Sequence, residues 1–422
     1  MKLPVGYDNF KDIIDKQLDI VDKTLWIKEI LDDSATQVVV ITRPRRFGKT
    51  LNLSMLHYFL ASEAYGQSTK GLFEGLKIAA LGDEYRRHQG QYPVIFITFK
   101  DVKDHGFEHV LQKITILMAK IYREHRYLLS SSHLTEEDKR FYQDILNEKC
   151  AQSQLEVAIE KLTFYLFQHH GIKPWLLVDE YDTPIQSAYV HGYYEPMISL
   201  LRGMFGAALK TNPYLERAVI TGILRVAKES LFSGLNNLKV YSLIHSRYGQ
   251  YFGFTEEEVA DLLKKVQLEE KSTEIRDWYN GYQMGNWTVY NPWSIVNCIH
   301  EQGELALHWI NTSDNQIIKN LLTHSSESFR TQFEDLLAGK TLEKLIDENV
   351  VFGDLTRDES AAWSLLLMAG YLKVTGKRQT ERGPYCLLSI PNREVRGLYA
   401  RIIEQWLLNG HGPEWFEKHK AL

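Results

Sequence analysis

The stretch VVVITRPRRFGKTLNLSML holds the residues best suited to binding a polyphosphate. A phosphate-binding loop reads G-x-x-x-x-G-K-[ST]: backbone N–H groups wrap the β-phosphate and the lysine reaches the β and γ phosphates. Here the pattern is R-x-x-x-x-G-K-T, with Arg43 in the place of the first glycine. Arg43, Pro44, Arg45, Arg46, Phe47, Gly48, Lys49, Thr50 and Leu51 therefore form a candidate nucleotide-binding loop. A basic surface turn would also carry a bare Gly-Lys-Thr, so the context has to separate the two readings. The loop follows a β-branched run and precedes a helical pattern with Leu51, Met55, Leu56, Phe59 and Leu60 on one face. Its N–H groups would then lie at a helix N-terminus, where an anion is stabilised. Arg43 leaves the Gly48-Lys49-Thr50 half intact, and that half supplies the helix start, the lysine and the metal-side hydroxyl. Arg45 and Arg46 either add charge at the phosphates or pair with acids near Asp179.

The second constellation is WLLVDEYDTPI, an apolar strand that ends in Asp179 and Glu180. A Walker B strand needs this order, because one carboxylate holds Mg²⁺ together with the loop hydroxyl while the next polarises the attacking water. Asp179 and Thr50 are the candidate metal ligands, and Glu180 is the candidate base. Asp182 competes as an indirect ligand or an alternative base. A later strand ends in Thr221-Gly222 and is followed by Arg225. Thr221 could sense the γ-phosphate and Arg225 could stabilise charge developing on it, and an ordinary loop or ion-pair role fits either residue equally well. With Lys49, these are the candidate catalytic residues.

Four short apolar runs must position these groups: Gln37–Thr42, Tyr92–Lys100, Lys173–Glu180 and Arg217–Leu224. Helical patterns separate them, as expected for a parallel α/β sheet with helices on both faces. With the Tyr92–Lys100 run between the two motifs, the layout matches a P-loop NTPase sheet that inserts one strand between the motif strands. Residues 7–31 have helical periodicity around a break at DIVDKT. Near residue 253 the character changes: Thr255 and Glu258 form a capping box, and helical pattern dominates afterwards. The expected division is therefore a nucleotide-binding domain at 1–252 and a mostly helical region at 253–422. Helix, hairpin and helix near 361–410 suggest a winged-helix-like end.

At 422 residues the chain is long enough for more than one core. Hydrophobic residues at 44% and charged residues at 24% argue against a disordered or fibrous chain. A net charge of −5 gives no sign of nucleic-acid binding by the whole chain. Cys150, Cys298 and Cys386 lie far apart, so neither a disulfide framework nor a zinc ribbon is expected. His169 and His170 lack companions at metal spacing. There is no apolar run of ~20 residues for a membrane span and no apolar leader segment. A cytoplasmic location is expected.

The chain resembles the predicted AAA-ATPase-like proteins of bacteria, many of which are fused to a PD-(D/E)XK nuclease-like domain. The resemblance runs almost end to end. It rests on VDKT from Val21, RPRRFGKTLNLSML from Arg43, DEYDTPI from Asp179 and TGILRVAKESLFSGLNNL from Thr221. FGFTEEEV from Phe252, WYNGY from Trp278, YNPWSI from Tyr290, NTSDN from Asn311 and IPNREVR from Ile390 extend it. It implies an AAA/ASCE-like fold, use of ATP with Mg²⁺, and arginine as a common residue at the first loop position. Such proteins usually continue into the nuclease-like domain, whereas no acid, acid-x-lysine core follows here before Leu422, so nuclease activity is not carried over. Two function classes remain: an ATPase whose turnover moves its C-terminal region, and a nucleotide-regulated switch or scaffold with little turnover. Residues 371–401 hold Lys373, Lys377, Arg378, Arg382, Arg393, Arg396 and Arg401 against Glu381 and Glu394. That segment is a candidate contact for nucleic acid or a protein partner, or else a solvated hairpin face. The aromatic motifs WYNGY and YNPWSI could stack a base, and packing explains them more simply. An oligomer is compatible with the family.

Overall fold

Five short strands carry the candidate site: β1 (Val38–Thr42), β2 (Val94–Thr98), β3 (Trp175–Asp179), β4 (Arg217–Gly222) and β5 (Leu238–Tyr241). In the computed structural model they form one sheet in the order β2-β3-β4-β1-β5, with every neighbouring pair parallel. The structure describes residues 1–224, 236–309, 326–348 and 359–408. All residues of β1, β3 and β4 are buried, so both faces of the sheet are covered, as continuous β-branched runs demand. The four expected runs each contain a strand, trimmed at the ends. The strand lying between β1 and β3 is β4, while the Tyr92–Lys100 run supplies β2 beyond β3 at the sheet's edge. Periodicity identifies strands but not the side on which each crossover returns. β5 carries no strand signal in the sequence, because it is an edge strand with an exposed Lys239 and no continuous apolar run.

The chain divides into two compact units. One, the sheet unit, comprises Tyr7–Thr42 and Lys49–Tyr241. Within it, residues 7–31 form two helices, Phe10–Asp15 and Leu25–Asp32, separated at the expected break. The helix Lys49–Leu60 was expected to bury one face, yet Asn52, Ser54 and His57 are buried as well. The reason is that the Phe10–Asp15 segment covers its other side: the Phe10 N–H donates to Ser54 Oγ at 3.0 Å, and Asn9 Nδ2 donates to the Tyr58 hydroxyl at 3.0 Å. Leu51 is half-buried at the start of this helix.

The other unit comprises Met1–Gly6, Arg43–Gly48 and Ser242–Leu422. Its first long helix, Glu256–Lys265, opens on the expected capping box: Thr255 Oγ1 accepts from the Glu258 N–H at 3.3 Å, and Glu258 Oε2 accepts from the Thr255 N–H at 2.8 Å. The helix Pro292–His300 starts from Asn291, whose Oδ1 accepts from the N–H groups of Trp293 and Ser294. Tyr279, Tyr282 and Tyr290 of the aromatic motifs are buried. The helix Glu359–Met368, the antiparallel strands Lys373–Thr380 and Gly383–Ser389, and the helix Arg393–Leu408 follow in the expected sequence. A third strand, Leu342–Leu345, adds to the hairpin beside Gly383–Ser389. No helix among the described residues is long and apolar enough to cross a membrane. The NTSDN motif and Arg225 lie outside the described residues.

Candidate functional site

In the sheet unit, β3 ends at Asp179 beside the end of β4, so parallel register brings Asp179 and Thr221 side by side. Thr221 Oγ1 donates to Asp179 Oδ1 at 2.6 Å. Thr50 Oγ1 donates to Asp179 Oδ2 at 2.8 Å. Both oxygens of one fully buried carboxylate are thus held by hydroxyls from two different elements. Burial pushes the Asp179 carboxyl above the usual range; the Thr221 hydroxyl opposes this, the Glu180 charge adds to it, and the Thr50 hydroxyl and Lys49 ammonium oppose it, with burial winning. A carboxylate desolvated in this way gains most from a cation beside it. Lys49, the first residue of the helix Lys49–Leu60, is itself buried.

Glu180 follows β3 with φ +52°, a left-handed conformation that ends the strand and turns the chain. Its side chain is half-exposed, and its Oε2 accepts from Thr183 Oγ1 at 3.2 Å. Asp182 differs from both acids. It is buried, and its Oδ2 accepts from the N–H groups of Ile223 and Leu224 at 3.0 and 3.1 Å and from Gln186 Nε2 at 2.9 Å. Burial raises its pKa, against those backbone N–H bonds. Asp182 therefore acts as a latch between the turn after β3 and the turn after β4. Tyr181 is the second latch: its N–H donates to the Thr221 carbonyl at 3.2 Å and its hydroxyl donates to the Leu224 carbonyl. Gly222 lies under both; its place at the end of the fourth run is legible in the sequence, whereas its closeness to Tyr181 and Asp182 is not. The repeated acids in Asp179-Glu180-Tyr181-Asp182 were visible, but latch partners about forty residues later are a property of the folded chain.

The loop segment Arg43–Gly48 belongs to the other unit, and its side chains engage residues of that unit. Arg43 is fully buried; its Nη2 donates to the Arg247 carbonyl at 3.2 Å and its guanidinium lies 5.4 Å from the centre of the Phe252 ring. Burial lowers its pKa to about 9, which leaves it cationic at neutral pH. Pro44 packs against Gly370, where a Cβ would come within 2.8 Å of the proline ring. The Arg45 carbonyl accepts from Trp309 Nε1 at 3.2 Å. The exposed Arg46 stacks over the Trp293 ring at 4.4 Å, and the Phe47 ring meets Tyr282 edge-on at 4.9 Å. Gly48 has φ +79° and open space where a Cβ would stand. Of these aromatic partners, Tyr282 belongs to the WYNGY motif and Trp293 to YNPWSI, and nothing in the sequence links either motif to the loop.

The residues of the sheet unit fit Mg²⁺: the Thr50 hydroxyl and the Asp179 carboxylate form the hard-oxygen pair that such an ion takes. The family model described as Predicted AAA-ATPase matches residues 4–232, more than half of the chain. An uncharacterized protein in the vnfD 5' region of Azotobacter chroococcum mcd 1 is 28% identical over 404 residues, which span 94% of this chain and 68% of that protein. Among solved structures, a STAND protein with a tetratricopeptide repeat sensor from Pyrococcus horikoshii aligns over 98% of this chain at 13% identity, with a TM-score of 0.30. This chain spans about half of it, 47%. Drosophila ORC bound to AT-rich DNA and Cdc6 aligns over 93% of this chain and 91% of that chain at 9% identity, with a TM-score of 0.21. By the match over residues 4–232, the chain belongs to the predicted AAA-ATPase family.

Proposed function

We propose that the chain binds and hydrolyses ATP in a Mg²⁺-dependent reaction, and that nucleotide state is coupled to movement of its C-terminal region. The observation that carries this reading is the Asp179 carboxylate, gripped by the Thr50 and Thr221 hydroxyls beside the buried Lys49. Backbone N–H groups of the Arg43–Leu51 loop, Pro44 excepted, would wrap the β-phosphate, while the Arg43, Arg46 and Phe47 side chains anchor elsewhere. Lys49 would neutralise the β and γ phosphates. Thr50 and Asp179 would hold Mg²⁺, which would supply charge neutralisation at the phosphates. Thr221 fixes the Asp179 carboxylate in that role, and Glu180 takes the proton of the attacking water. Arg225, which follows β4 closely in sequence, is the proposed source of positive charge on the γ-phosphate side. The proposed division of labour is nucleotide chemistry at 1–252 and output at 253–422, in a cytoplasmic protein.

The test is Mg-ATP binding and steady-state turnover by the whole chain beside Lys49→Ala. A lost charge-assisted contact weakens binding about tenfold to a hundredfold. Unchanged binding in the variant would remove the loop from the mechanism. Binding without any turnover in the parent chain would point to a nucleotide-regulated switch.

A second reading concerns the winged-helix-like end. Lys377, Arg378 and Arg382 are exposed on the hairpin, although Arg378 pairs with Glu343 at 3.2 Å and stacks on Tyr385. If this hairpin contacts DNA phosphates, neutralising all three should weaken binding and flatten its salt dependence by about one unit of slope per lost contact. Unchanged affinity and slope would leave it a solvated face.

A further inference from the structure

Two residues of the phosphate loop, on either side of Phe47, are left-handed: Arg46 at φ +68° and Gly48 at φ +79°. Glycine adopts that conformation freely, whereas arginine does not, and a non-glycine residue stays there only when its surroundings over-determine it. The surroundings of Arg46 are specific. On one side, the Arg45 carbonyl is fixed by Trp309 Nε1; on the other, the Phe47 ring is fixed by Tyr282, and Arg46 itself lies on Trp293.

The two tryptophans share a support. Glu394, fully buried at the start of the helix Arg393–Leu408, accepts from the Trp309 N–H at 2.7 Å through Oε1. Its Oε2 accepts from Ser294 Oγ at 2.8 Å, in the helix that carries Trp293. The Trp309 ring is packed against Tyr371, 4.9 Å between centroids, and Tyr282, 6.2 Å. One carboxylate therefore fixes the backbone of Trp309 and the helix of Trp293 together.

We propose that Trp309 is a positioning residue for the phosphate loop, holding the Arg45 carbonyl so that Arg46 keeps its left-handed turn, and that Glu394 holds Trp309 in place. This inference rests on reading Arg43–Thr50 as the nucleotide loop. The physical consequence is pre-organisation: a loop already shaped for its ligand loses less freedom on binding. Trp309 and Glu394 act on the site through the backbone of Arg45 and Arg46 rather than by contact with nucleotide or metal.

The experiment uses the whole chain in three forms: parent, Trp309→Phe and Phe329→Leu. Phenylalanine keeps an aromatic ring between Tyr371 and Tyr282 and removes only the Nε1 donor. Phe329 is buried against Trp363 and controls for a general loss of packing in the same unit. Two quantities are read: hydrogen exchange of the Arg45–Gly48 amides without nucleotide, and the Mg-ATP Kd with KM and kcat. Trp309→Phe should speed exchange in the loop, raise Kd and KM about threefold to tenfold, the worth of one hydrogen bond, and change kcat less than about twofold. Phe329→Leu should leave loop exchange and Kd as in the parent.

Equal loop exchange and equal Kd in Trp309→Phe and parent would overturn the proposal. If Trp309→Phe does not fold, hydrogen exchange of the Trp309 indole N–H in the parent decides instead: exchange as slow as that of a bonded buried amide supports the proposal, and exchange at the rate of an unbonded indole overturns it. A parent that binds no Mg-ATP would overturn the nucleotide reading, and the exchange comparison would still decide whether Trp309 sets the loop.

Discussion

Glu180→Gln is expected to bind Mg-ATP as the parent does and to turn it over about 10²- to 10⁴-fold more slowly, the usual worth of a positioned general base. The substitution isolates one property. Glutamine has the shape of glutamate, and its carbonyl oxygen still accepts from Thr183 Oγ1, so the left-handed turn after β3 should survive. What it lacks is a basic oxygen. Because the Glu180 charge raises the pKa of Asp179, its removal also eases ionisation of the neighbouring carboxylate, so weaker metal or nucleotide binding is not expected. Isothermal titration with Mg-ATP and a steady-state phosphate-release assay measure the two arms. Full turnover in the variant would take Glu180 out of the role. Asp182 would be a poor replacement, because its Oδ2 already serves the Ile223 and Leu224 amides and Gln186.

The layout of the sheet unit was partly written in the sequence. β1, β3 and β4 are largely apolar, and Asp179 in β3, Thr221 in β4 and Thr50 in the helix after β1 lie within hydrogen-bond distance. They converge because parallel strands in one sheet deliver their C-terminal ends to the same edge, where polar side chains at and after those ends meet. The order of the strands was not legible. Tyr92–Lys100 stood between the motif strands in sequence, while β4 stands between them in space. The loop's supports were also hidden. Trp309 is 264 residues from Arg45, and no local pattern marks such a pair. Glu394, whose pKa is pushed up to about 7 by burial, looked in the sequence like one of two acids offsetting a basic segment. Charge counting treats all acids as solvated, and a fully buried one has a different role.

Gly222→Ala is expected to destabilise the sheet unit by about 1–3 kcal/mol, the usual cost of overpacking. A Cβ at this position would lie 2.6 Å from the Tyr181 ring and 2.7 Å from Asp182 Oδ1. Neither neighbour is a flexible tip that can step aside. Tyr181 is tied at its N–H to the Thr221 carbonyl and at its hydroxyl to the Leu224 carbonyl, and Asp182 is tied to two backbone amides. Making room means breaking a latch between the turns after β3 and β4, and the carboxylate left behind would be buried without its donors. The strain falls next to Thr221, so the Thr221–Asp179 hydrogen bond should loosen and turnover should fall with stability. Gly206 provides the contrast in the same unit. It lies within the helix Tyr194–Leu209, where a Cβ would meet nothing within 4 Å, so Gly206→Ala should be neutral or stabilising by about 0.5–1 kcal/mol through reduced freedom of the unfolded chain. Thermal unfolding of the two variants beside the parent measures the difference. A Gly222→Ala melting temperature equal to that of the parent would mean that the turn after β4 yields, and that the latch does not fix Thr221 against Asp179.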